Sequence, residues 1–135
     1  MGRGVLLVSL FASGCTQDSI PLEPTLASLD ANVFQPRCTW VCHSGGEYAA
    51  GGLDLSDFRT ATFGVPATSR ACEDTGLALV VPGDPDASLL VLKVSAATDG
   101  EDAICGDGMP NGFRHPLSTT QVDTIREWIV AGGED

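Results

Sequence analysis

Apolar residues fall into short runs separated by polar sequence rich in Gly and Pro. Leu26, Leu29, Val33 and Phe34 recur mostly at three- and four-residue spacing and predict a helix. Gln35-Pro36 predicts its end, because a residue before proline avoids helical geometry. Leu53, Leu55 and Phe58 mark a short apolar segment, and residues 60–76 show no period. Val80-Val81-Pro82-Gly83 predicts a turn. Asp84-Pro85-Asp86-Ala87-Ser88 predicts the opening of a helix, with Asp84 as N-cap and Pro85 in the first helical position. Leu89, Leu90, Leu92 and Val94 form its expected buried side. Residues 98–116 form a long Gly-, Asp- and Pro-rich loop, a length that points to function or disorder. The last helix has a capping box in Ser118 and Gln121. Val122, Ile125 and Ile129 share one of its faces, with Trp128 and Val130 alongside, and Gly132 stands at its C-terminal stop. No internal repeat is visible. The expected class is all-α, with three to four short helices, long loops and little strand.

The first residues follow a different rule. Arg3 precedes Val5-Leu6-Leu7-Val8-Ser9-Leu10-Phe11 and then Ala12-Ser13-Gly14-Cys15. A positive start, a short apolar run and small residues predict an export signal over 1–15. The run is too short to span a bilayer as a helix. Its end resembles a bacterial lipobox, which implies a lipid anchor on Cys15, although Ala12 stands where Leu is commoner. An ordinary cleaved signal and a mis-called start codon are the alternatives. Thr16 after Cys15 implies the outer membrane or cell surface over retention at the inner membrane. Residues 16–24 read as a polar, Pro-bearing tether and 25–135 as one domain. The expected location is outside the cytoplasm, periplasmic or on the outer membrane.

Charge narrows the partners. Seven Lys and Arg stand against 18 Asp and Glu, a net charge of −11 over 135 residues. A nucleic-acid binder needs a basic face, and this balance argues against that class. An acidic surface suits solubility and steering toward a basic protein partner.

Export also changes the cysteine arithmetic. Beyond Cys15, four remain: Cys38, Cys42, Cys72 and Cys105. The segment Arg37-Cys38-Thr39-Trp40-Val41-Cys42-His43 reads C-x3-C-H. The usual c-type haem attachment motif is C-x2-C-H. Its two thiols add to the two vinyl groups of the macrocycle, and the adjacent His becomes the proximal iron ligand. The extra residue bulges the loop but keeps the Cys42-His43 adjacency. A Cys38–Cys42 disulfide beside a bystander His, or a zinc site drawing on Cys72, Cys105 or His115, would use the same residues. Met109, in the late loop, is the candidate distal ligand, since His and Met together fill both axial positions of an electron-transfer haem. His115 is its rival, and a core-filling Met is the plain alternative. Cys72 and Cys105 are expected to bridge each other, tying the Met109 loop down; two separate buried thiols are the alternative. Trp40 and Trp128 are candidates to line the haem. Asp99, Glu101, Asp102 and Asp107 match no calcium loop and read as solvated.

Together these segments resemble the planctomycete-type cytochrome c-like domains, also abundant in myxobacterial lipoproteins. The resemblance runs through Val33-Phe34-Gln35-Pro36-Arg37-Cys38, Cys42-His43 and Gly52-Leu53-Asp54-Leu55-Ser56. It continues through 81–90 (Val-Pro-Gly-Asp-Pro-Asp-Ala-Ser-Leu-Leu), Cys105-Gly106-Asp107-Gly108-Met109-Pro110, and Leu117-Ser118 to Ile125-Arg126-Glu127-Trp128-Ile129 and Gly132. It covers 30–135 and implies a cytochrome c-like fold. It also implies covalent haem c at Cys38 and Cys42, with iron between His43 and Met109, and first and last helices that pack across each other. The departure is the x3 gap, which bears on both thioether bonds.

The expected function is a monohaem cytochrome that passes single electrons to redox partner proteins, anchored to the membrane by its N-terminal lipid. It is not an enzyme; no paired carboxylates or Ser-His arrangement supports hydrolysis. The alternatives are a haem-free, disulfide-stabilised surface lipoprotein on the same scaffold, or a haem sensor or enzyme with an open iron face.

Overall fold

The computed structural model describes residue 1, residues 21–112 and residues 114–135. The signal, Cys15 and the start of the tether lie outside the described residues. Helices are the only extended regular elements among the described residues, which agrees with the all-α expectation.

Helix α1 (Leu26–Leu29) is N-capped by Thr25, whose hydroxyl accepts from Ser28 N at 3.2 Å. It runs without a break into a π-helical segment, Asp30–Thr39, with Pro36 inside. The expected stop at Gln35-Pro36 is therefore wrong. Proline breaks an α-helix by colliding with the carbonyl four residues back and by lacking an N–H. A π-turn bonds five residues back, so the wider backbone carries the chain past Pro36; Trp40 N donates to Gln35 O at 3.1 Å.

Helix α2 (Phe58–Thr62) is capped by the Asp57 carboxylate, which accepts from Thr60 N. Helix α3 (Leu89–Asp99) starts four residues later than the Asp84-Pro85 signal predicts. Those residues close a separate turn: Asp84 Oδ1 accepts from Ala87 N at 3.1 Å, and Ser88 N donates to Pro85 O at 3.2 Å. Ser88, the true N-cap, is fully buried, and its hydroxyl accepts from Val81 N and donates to Asp84 O. On α3 the core side is Leu89, Val91, Val94 and Ala96; Leu90 and Leu92 are only half-buried. Helix α4 (Thr119–Val130) has the expected capping box, and Gly132 turns the chain with φ 94°. Val130 is exposed. The aperiodic stretch after α2 is organised by isolated β-bridges, Phe63 with Val80 and Pro66 with Ala78.

A main core joins these pieces, and a smaller cluster of Ala67, Cys72 and Leu89 lies apart from it. Phe34 stacks on Phe58, with ring centroids 3.8 Å apart, and Trp128 tilts against both at 6.1 and 6.2 Å. The first and last helical segments therefore meet through Phe34 and Trp128. The C-terminal residues close this cluster: Trp128 Nε1 donates to Glu134 O at 3.1 Å, Gly133 N to Trp128 O at 2.9 Å, and Arg59 to Gly133 O at 2.6 Å. No helix of the described residues is long and apolar enough to cross a membrane.

Candidate functional site

The end of the π-helical segment delivers Cys38 to a cavity of about 440 Å3. The backbone stays wide there. His43 N donates to Cys38 O at 3.0 Å, five residues back, and to Thr39 O at 3.1 Å; Cys42 N also reaches Cys38 O at 3.3 Å. A wide turn takes up one more residue than an α-turn. The extra residue of C-x3-C-H is absorbed in this way, and Cys38, Cys42 and His43 all line the same cavity.

The His43 ring is fixed from behind. Its Nδ1 lies 3.0 Å from Leu53 O. A carbonyl only accepts, so Nδ1 carries a proton, and Nε2 is the nitrogen left for a ligand. Such a bond sets the orientation and raises the basicity of a ligating imidazole. The Leu53 strap is held in turn by Leu55 N to His43 O at 2.8 Å and Ala50 N to Cys42 O at 2.7 Å. Asp54 ties off the turn, accepting from Ser56 and from Gly46 N. Hydrogen bonds from the Ser56 side chain and backbone, then from Gly46, hold its carboxyl below the usual carboxylate range.

Cys38 and Cys42 are free thiols, the first half-buried and the second exposed. Burial pushes the Cys38 thiol up to about 11, with the Arg37 charge opposing and Cys42 adding to the rise. Cys38 is thus a neutral thiol at neutral pH.

Met109 reaches the cavity from the loop after α3, and His115 does not line it. Instead the His115 and Pro116 carbonyls accept from the Arg37 guanidinium. Cys72 and Cys105 are joined by a disulfide, and Cys72 forms part of the cavity wall. Neither tryptophan lines the cavity: Trp40 is 71% exposed, and Trp128 is fully buried in the aromatic core against Phe58, which does line it. Among the described residues, no three His, Cys, Asp or Glu side chains gather into a metal site, which leaves neither the zinc nor the calcium arrangement assembled.

The remaining lining sets the polarity. Leu53, Leu55, Phe58, Leu79, Leu90 and Val94 make it apolar. Three of the chain's seven basic residues, Arg37, Lys93 and Arg114, line it, and among the described residues no Asp or Glu does, although the chain has 18. The volume lies within the roughly 300–1,000 Å3 of cofactor and small-molecule sites. An apolar wall, a basic fringe, two free thiols, a free imidazole nitrogen and a thioether are a donor set that fits haem. Sequence reasoning did not find the Leu53 carbonyl, Phe58 or the basic fringe; only the excess of acid elsewhere hinted that the few cations were placed.

Comparison with protein-family models, curated proteins and solved structures finds no match to this chain.

Proposed function

We propose that this chain is an exported monohaem c-type cytochrome, with a cytochrome c-like fold, that carries single electrons between partner proteins outside the cytoplasm. The observation that carries this reading is the convergence of Cys38, Cys42, His43 and Met109 on one apolar cavity, with His43 Nδ1 held by Leu53 O. The thiols of Cys38 and Cys42 would hold the macrocycle, and His43 Nε2 and Met109 Sδ would hold its iron. Arg37 and Arg114 would face the carboxylates on its edge.

Bound there, haem supplies a one-electron couple whose potential rises with thioether ligation. The chain's own work is to hold that couple still. Leu53 O keeps the imidazole in one tautomer, and the leucines and Phe58 exclude water. The disulfide supports an oxidising compartment, and the net charge of −11 supports a basic partner. Redox partners, and a membrane anchor through Cys15, belong to the same proposal.

Expression with export, in a host that matures c-type cytochromes, tests it. The expected product has a Soret band, a c-type pyridine haemochrome and an intact mass raised by one haem. A colourless protein at apoprotein mass less four hydrogens would sink the proposal and leave the haem-free, doubly bridged module in its place.

A further inference from the structure

Building on the haem reading, we propose that Lys93 is the positioning residue for Met109, strapping the irregular loop after α3 so that the thioether faces the cavity.

The loop between α3 and α4 has no regular element of its own, and such segments open easily. The disulfide fixes it only at Cys105. Four residues of slack, up to roughly 14 Å when extended, would still let Met109 leave the cavity. Lys93 removes that slack. Its Nζ donates to Cys105 O and, at 2.8 Å, to Asp107 O, while its own carbonyl accepts from Met109 N at 3.0 Å. An ammonium group has three donors and can bridge two carbonyls of one turn. The backbone bond then sets the residue that bears the sulfur. Gly108 lets the loop lie flat on α3: a Cβ there would stand 3.0 Å from Ala97 N. Lys93 therefore fixes carbonyls on both sides of Gly106 and the amide of Met109, all from a rigid helix.

The test compares Lys93→Met, which keeps the apolar stem and removes the donors, with Lys93→Arg, which restores them. In the haem-loaded protein, Lys93→Met is expected to keep its pyridine haemochrome but lose the red charge-transfer band of thioether-ligated ferric haem. It is also expected to bind added imidazole at least roughly tenfold more tightly, as loss of charged hydrogen bonds frees the loop. Lys93→Arg should restore both. Gly108→Ala, which lifts the loop with Lys93 intact, should reproduce the loss; Lys93→Gln decides the matter if Lys93→Met is unstable throughout. An unchanged band and imidazole affinity in the Lys93 variant would overturn the strap. If the unsubstituted protein holds no haem, the functional reading fails separately. Amide exchange of residues 106–112 in the haem-free protein then decides: faster exchange in Lys93→Met, with α4 unchanged, upholds the strap, and equal exchange refutes it.

Discussion

At the scale of single residues, the site divides into atoms that sequence can name and atoms that only the fold supplies. Cys38, Cys42, His43 and Met109 are side chains whose chemistry is written in their type. The partner of His43 is a backbone carbonyl, and any residue at 53 would offer one, so no pattern could announce it. Lys93 escaped notice for a related reason, since on α3 it reads as one more solvated cation. Cys38 yields a pH prediction. In the haem-free protein its thiol rises from 9.0 to about 11 on folding, chiefly because burial disfavours the thiolate. The folded state then holds that proton more tightly than the unfolded chain. The resulting stability is complete below pH 9 and is lost as pH climbs toward 11, up to about 2 kcal/mol. Urea midpoints measured across that window should fall for the haem-free protein and stay nearer level for Cys38→Ala. In the haem-bound protein, where a thioether cannot titrate, this loss should be absent.

At the scale of elements, local signals held where they were self-contained. Ser118 and Gln121 cap α4 as expected, because both partners of the capping box lie within one turn. Ser118→Ala should lower unfolding free energy by about 1 kcal/mol, read from chemical denaturation, without altering the spectrum of the proposed haem-loaded protein. Signals failed where a contact beyond the first turn decided. Asp84-Pro85 has the chemistry of a helix start, yet the buried Ser88 hydroxyl, bonded to Val81 and Asp84, converts it to a turn and moves the start of α3. Pro36 failed as a stop because a π-turn is invisible to propensity. The same irregularity explains the irregular motif: the helix that passes Pro36 stays wide through Cys38, and the extra residue before Cys42 fits that width.

At the scale of the molecule, the all-α class and the pairing of Cys72 with Cys105 agree with what the chain's pattern predicts, while the cavity's basic fringe emerges only in three dimensions. The disulfide spans a sequence separation of 33, and a loop of that length constrains the unfolded chain by about 4 kcal/mol. Replacing both cysteines with Ser should lower stability by that order in thermal or urea unfolding; a change under about 1 kcal/mol would mean that the unfolded chain is already held together elsewhere. The C-terminal clasp has a consequence for timing. Phe34 and Phe58 meet Trp128 late in the chain, and Trp128 and Arg59 bond in turn to the Glu134 and Gly133 carbonyls. A chain made from its N-terminus cannot close the aromatic core until Trp128 has arrived. Cys38, Cys42 and His43 emerge long before that moment. During the interval they stand on an unfinished wall, open to whatever must reach them.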